Sequence, residues 1–128
     1  MHEEDRIAKL ALDAAFKVHR TLGPGLLESA YIHCMIHEMK EQGLAVQHQH
    51  VLPLQYGDMK LDAGYRLDLW VDEKVVIEVK AVGELIPIHT AQLLTYLKLT
   101  GNRLGLLINF NEVLLKDGIR RLANGMPS

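Results

Sequence analysis

Residues 104–110 read Leu-Gly-Leu-Leu-Ile-Asn-Phe, an almost unbroken apolar run. A strand with one wet face alternates polar and apolar residues, so a run of this kind must be covered on both faces. The cover has to come from helices packed on the two sides of a sheet, which makes the fold class α/β. A chain of 128 residues can supply it. That length is one domain's worth, enough to bury a core without disulfide or metal staples, and a single domain over residues 1–128 is the expectation.

The periodicity elsewhere fits this plan. Ile7, Leu10, Ala11, Ala14 and Val18 recur at three- and four-residue steps, predicting an amphipathic helix over 4–21 that Gly23-Pro24-Gly25 stops. A second helix is predicted from Pro24 or Gly25 to Gln42, closed by Gly43, with Leu27, Ala30, Tyr31, Cys34 and Met35 on its apolar face. From Ala45 the period becomes two, and Tyr56-Gly57-Asp58 reads as a turn. Strands over about 60–71 and 75–81 flank Asp72-Glu73-Lys74 as a hairpin, Pro87 precedes a helix over about 88–100, and Gly101-Asn102 closes it. A short strand or tail follows from Val113. The order is αα-βββ-α-β, with the late helix crossing over to the buried strand.

The chemistry concentrates in Val75-Val76-Ile77-Glu78-Val79-Lys80-Ala81. By apolar content this is a central strand, yet Glu78 and Lys80 stand two residues apart and so share a face. Burying a charge without compensation costs several kcal/mol, so these two must be paired, metal-bound or set at a cavity. Asp68 is a second charge in an apolar strand, Leu67-Asp68-Leu69-Trp70-Val71. If the hairpin loop is the three residues 72–74, position 68 lies opposite 78 and the carboxylates share a face. A two-residue loop would oppose them unless a bulge restored the register. Two carboxylates converging with a backbone carbonyl suit Mg²⁺ or Mn²⁺. A lysine beside them can orient or help deprotonate the water that attacks a phosphodiester. An isolated Glu-x-Lys is more often a surface ion pair; the apolar setting and Asp68 shift the balance toward a site.

Other signals carry less. The formal charge is −2, whereas tight non-specific nucleic-acid binders carry excess positive charge. Lys98, Arg103, Lys116, Arg120 and Arg121 outnumber Glu112 and Asp117 late in the chain, which reads as a solvated surface before it reads as a basic face. His33 and His37 are spaced for a metal on a helix, but their stripe includes Ser29, Lys40 and Glu41 and faces water. His48 and His50 share a strand face, and His89 opens the third helix, from which it could approach the site. Phosphate loops and nucleotide fingerprints are absent. The start Met-His-Glu-Glu-Asp-Arg is no signal peptide, apolar stretches are too short for a membrane span, and the single Cys34 suits a reducing cytoplasm.

Asp68, then Glu78-Val79-Lys80, then Gln92 on the following helix resemble the core of the PD-(D/E)XK nuclease superfamily. More narrowly, Gly25-Leu26-Leu27-Glu28-Ser29-Ala30-Tyr31 resembles the signature of the GxxExxY protein family. The likeness extends through Tyr65-Arg66-Leu67-Asp68, Ala91-Gln92-Leu93-Leu94-Thr95-Tyr96-Leu97 and Gly105–Phe110, covering roughly residues 5–122. It implies a restriction-endonuclease-like core, a mixed central sheet flanked by helices. It also implies that Asp68, Glu78 and the Val79 carbonyl hold Mg²⁺ or Mn²⁺, that Lys80 serves the water, and that Gln92 contacts a water or phosphate. Glu28 is similar to the helical acidic residue many members place near the metal, although a first-turn Glu is favoured by the helix dipole alone. Tyr31 and Tyr96 share helix faces with Glu28 and Gln92 and are candidates to line the cleft, but core packing is the leading expectation for either ring.

The leading expectation is therefore a metal-dependent nuclease acting on DNA or RNA. The alternative is a catalytically inactive module that keeps the fold for protein or nucleic-acid binding, as the near-neutral charge allows. A homodimer, or a subunit of a larger complex, would supply substrate contacts that so small a core lacks.

Overall fold

The computed structural model describes residues 2–126, apart from the side chain of Ala63. The outermost three positions of the expected 1–128 domain lie outside the described residues. The elements run α1 (Glu3–Leu22), α2 (Glu28–Glu41), β1 (Val46–Tyr56), β2 (Met59–Val71), β3 (Val75–Lys80), α3 (Pro87–Thr100), β4 (Leu104–Asn109) and β5 (Ile119–Ala123). The expected strand or tail after Val113 is a 3₁₀ turn, Leu115–Gly118, leading into β5.

Each helix boundary has a local cause. Glu3, Glu4 and Asp5 in the first turn of α1, with His19 and Arg20 in its last, complement the helix dipole. The second helix begins at Glu28, later than the expected Pro24 or Gly25. The buried Tyr31 is the reason: its hydroxyl accepts the Leu26 N–H at 3.1 Å and donates to the Gly23 carbonyl at 2.6 Å. Those bonds hold the preceding loop out of helical geometry, and Gly25 turns it at φ 97°, which a side chain would resist. Pro87 opens α3 at a position where its missing N–H costs nothing, and Gly101 closes it in the left-handed region.

The sheet has the order β1-β2-β3-β4-β5. Among the described residues only the β3–β4 pair is parallel, and α3 makes its crossover; the other neighbours are antiparallel hairpins or returns. The sheet is therefore mixed, as expected. Its central strands alternate cleanly between two layers. Val75, Ile77 and Val79 of β3 and Leu104, Leu106 and Ile108 of β4 pack under α1 and α2. Val76 and Leu107 face α3, meeting Leu93, Tyr96 and Leu97. Every residue of β4 is buried, so the apolar run at 104–110 is covered on both sides.

The edges are tied by long-range polar contacts. Arg103 clasps the buried Glu4 through Nε at 2.7 Å and Nη2 at 3.0 Å, and its guanidinium holds the Glu4 carboxyl down at about 2. Arg121 pairs with Asp5. Two of the late arginines are thus committed to α1, and no continuous basic face is left by that stretch. On the opposite edge, β1 and β2 stay paired from Val46↔Val71 out to Tyr56↔Met59, with a register shift around Pro53. Pairing of β2 with β3 covers only Leu69–Val71. The outer parts of β1 and β2 therefore leave the sheet as a two-stranded ribbon.

The α3 layer sits close to the sheet because Gly105 has no side chain. A Cβ there would lie 2.9 Å from Leu93 Cδ1 and 3.1 Å from its Cγ, inside a closed core. Gly105→Ala is expected to lower stability by about 1–3 kcal/mol through overpacking, read by chemical denaturation. An unchanged midpoint would show that α3 can move off β4 freely.

Candidate active site

The hairpin between β2 and β3 turns through Asp72-Glu73-Lys74, with Asp72 at φ 50° and Glu73 at φ 54°. The Asp72 side chain accepts the Ala45 N–H at 2.8 Å, which holds the turn against the start of β1. The pairs Leu69↔Ile77, Trp70↔Val76 and Val71↔Val75 continue to Asp68 opposite Glu78. The three-residue loop thus places both carboxylates at one level, as its parity requires.

At that level the backbone ladder stops and the two side chains replace it. Glu78 Oε2 accepts the Asp68 N–H at 2.9 Å, and Asp68 Oδ2 accepts the Val79 N–H at 2.9 Å. Each acid caps the other strand. The second oxygen of each carboxylate receives no protein hydrogen bond, yet no fully buried side-chain polar atom among the described residues lacks a partner. Those two oxygens therefore open into the notch between the diverging strands.

The electrostatics of the notch are strained. Glu78 is only 4% exposed, and burial, then the Asp68 carboxylate, pushes its carboxyl up to about 8. The Asp68 N–H and Lys80 pull the other way without winning. Asp68 is also raised, by burial first, against the Val79 N–H, Lys80 and His48. Lys80 acts through space: among the described residues it forms no direct ion pair with either acid. Two desolvated carboxylates without a cation cannot comfortably both ionise. Two outward oxygens of hard acids are donors of the kind that Mg²⁺ or Mn²⁺ takes.

Glu28 joins the same group. Burial and then the Asp68 carboxylate raise its carboxyl, and Lys80 lowers it. It is the first residue of α2, so the Tyr31 bonds that delay the helix also fix where Glu28 stands. Tyr31 itself does not line a cleft. Its ring is fully buried and stacks on Phe110 at 4.6 Å. Its contribution to the site is the loop it pins. Glu28 is not near enough to both other acids to make a three-carboxylate cage: no group of three or more His, Cys, Asp or Glu among the described residues could hold a metal alone.

The α3 side supplies Gln92 and Tyr96. Gln92 Nε2 donates to the Tyr96 hydroxyl at 3.1 Å. Burial, then the charges of Glu78 and Asp68, raises the Tyr96 hydroxyl. Both residues line a cleft of about 560 Å³ between α3 and the β1–β2 ribbon, with Leu54, Tyr65, Ile88 and Leu99 among its walls. The acids are not lining residues; Tyr96 links the two regions. His89 borders the cleft, and its Nδ1 accepts the Ile86 N–H at 3.2 Å, so it caps α3.

Two features escaped the sequence reading. Asn109, fully buried in β4, is paired in register with Lys80. Its amide donates to the Val82 carbonyl at 2.9 Å and its oxygen accepts the Val82 N–H at 3.0 Å, fixing the chain just beyond Lys80. An Asn inside an apolar run was the available signal. Gln49 lies between His48↔Leu69 and His50↔Leu67, hence opposite Asp68, and has φ 53°. A non-glycine residue in that region marks backbone strain beside the acids. His33 and His37 are exposed, and His33 packs edge-on against His48 at 5.4 Å.

A family model described as the PD-(D/E)XK nuclease superfamily matches residues 5–122. No curated protein and no solved structure matches the chain.

Two measurements follow from this geometry. Tyr31→Phe removes a buried hydroxyl that serves two backbone groups and should lower stability by about 1–3 kcal/mol. A change within error would mean the loop holds itself. In metal-free buffer, the raised Glu78 carboxyl gives stability that is full below its ordinary value of 4.5 and is lost as pH rises through about 8. Glu4, held at about 2, loses its contribution only as pH falls toward that value, outside this window. The unfolding temperature should therefore fall as pH rises between those limits, and Glu78→Gln should flatten the fall. A midpoint that rises with pH across that window would contradict a desolvated acid pair.

Proposed function

Since the chain belongs to the PD-(D/E)XK nuclease superfamily, we propose that it is a metal-dependent phosphodiester hydrolase acting on DNA or RNA, built as one domain over residues 1–128. The observation that carries this reading is the crossed pair Asp68–Glu78. It is a desolvated, doubly acidic notch with one oxygen of each acid turned outward. Asp68, Glu78 and the Val79 carbonyl would hold Mg²⁺ or Mn²⁺, which when bound supplies Lewis-acid stabilisation of charge developing on the phosphate.

The remaining work falls to the chain's own groups. Lys80, two residues along the same strand face, orients the attacking water and accepts or returns its proton through Nζ. The Asn109–Val82 bonds keep the end of β3 from fraying, so that Lys80 stays aligned. Gln92, braced by the Tyr96 hydroxyl, offers its amide to a water or a phosphate oxygen. Glu28 adds a further negative charge on the α2 side, which strengthens attraction for a cation and repels a phosphate that arrives without one. Among the described residues no helix is long and apolar enough to cross a membrane.

Single- and double-stranded DNA and RNA incubated with Mg²⁺ or Mn²⁺ provide the test. Cleavage should vanish with chelator and fall by about a hundredfold or more in both Glu78→Ala and Lys80→Ala. Cleavage that persists in both variants does not come from this site. Calorimetric titration with Mn²⁺ gives the second arm: a well-folded protein that takes up no metal at millimolar concentration is the catalytically inactive module instead.

A further inference from the structure

The cleft beside the acids has walls that no step of hydrolysis requires. Tyr65 presents a ring, Leu54, Ile88 and Leu99 present aliphatic surface, and Gln92 presents an amide bonded to the hydroxyl of the buried Tyr96. Among the described residues no Asp, Glu, Lys or Arg lines it, and the imidazole of His89 is engaged through Nδ1 with the Ile86 N–H. A phosphate would find no ammonium or guanidinium there, and a metal ion no carboxylate. A flat, largely apolar ring with a polar edge finds an aromatic face, aliphatic walls and an amide to meet its edge. Ile88, 64% exposed, and Tyr65, 40% exposed, stand on opposite walls, α3 and the ribbon, with nothing in the fold that covers them.

The charge distribution narrows the ligand further. Gripping an intact duplex takes many phosphate contacts from Lys and Arg. This chain has a net charge of −2, and Arg103 and Arg121 are taken by Glu4 and Asp5. A base within a duplex is stacked and cannot enter a side cleft; an unpaired base can. Resting on the hydrolase reading, which places a phosphate at the acids, we propose that this cleft is a nucleobase pocket. It takes one unpaired base of the strand being cut, so that the substrate is single-stranded or frayed nucleic acid.

Binding of the full chain, in Ca²⁺ so that cleavage does not intervene, can be followed by fluorescence anisotropy. The probes are labelled oligothymidylate, a base-free sugar-phosphate strand of equal length, and a blunt duplex. The thymidylate strand should bind about tenfold or more tightly than either of the others, as expected for the loss of one stacked base. Ile88→Ser, at an exposed position that leaves the core untouched and adds no charge, should remove that advantage while sparing affinity for the base-free strand. Tyr65→Ala should act in the same direction, with circular dichroism confirming that both variants are folded.

Equal affinity for the three probes, an equal loss on all of them in Ile88→Ser, or no binding to any would overturn the proposal. Cleavage assays on Glu78→Ala keep the two claims separate. Glu78-dependent cleavage without base-dependent binding removes the pocket alone. Base-dependent binding without Glu78-dependent cleavage removes the hydrolase alone.

Discussion

The exchange of hydrogen bonds between Asp68 and Glu78 decides how the rest of the sheet is laid out. A regular antiparallel ladder would have continued outward from Leu69↔Ile77. Here the Asp68 N–H goes to the Glu78 carboxylate and the Val79 N–H to the Asp68 carboxylate, so two backbone donors are satisfied without a backbone acceptor. Because side chains are longer than the gap they replace, β2 and β3 part at this point. The ribbon of β1 and β2 then leaves the sheet, and the notch and neighbouring cleft open where it departs. The acids form the divide.

That divide is held under electrostatic tension, and the surrounding structure is built to sustain it. Val75, Ile77 and Val79 are anchored under α1 and α2, so β3 cannot swing its acid toward solvent without exposing apolar surface. On the opposite layer, the missing side chain at Gly105 lets Leu93 seat deeply. That close seating fixes Gln92 and Tyr96 one helical turn apart at the cleft. Glu28 is placed by a third device, the Tyr31 hydroxyl, whose ring is locked against Phe110 while its oxygen holds the loop before α2. Strand, crossover helix and loop each position one part of the site through apolar burial, and the polar groups inherit that rigidity.

What could be read from the residues depended on how local its cause was. The facing of Asp68 and Glu78 was legible because it follows from the parity of the loop 72–74, which is a property of adjacent residues. The bounds of α3 were legible from Pro87 and Gly101, and the two-sided cover of β4 from its composition. The start of α2 was not, because a hydroxyl on Tyr31 overrides the helical tendency of residues before it. The departure of the ribbon was not, since a strand pattern does not reveal where its partner stops. The late arginines read as a local cluster, and only the fold brings Glu4 and Asp5 from the other end of the chain to meet two of them. Asn109 was visible as an oddity in an apolar run; that its partner is the backbone at Val82 was not.

Neutrality and chemistry then constrain each other. A hydrolase of the proposed kind would bring a polyanion to an acidic notch, and whatever charge Asp68, Glu78 and Glu28 carry there would oppose that approach. Proteins with a basic groove overcome such repulsion at long range. Here the arginines nearest α1 stabilise the fold, so long-range attraction is weak and short-range forces must carry recognition. A divalent ion held at the acids, as proposed, would reverse the sign of the notch locally, and apolar contact in the adjoining cleft is indifferent to charge altogether. Recognition of that kind is confined to one phosphate and its immediate neighbour. It favours a strand loose enough to offer both at once over a rigid helix that would have to be held along its length.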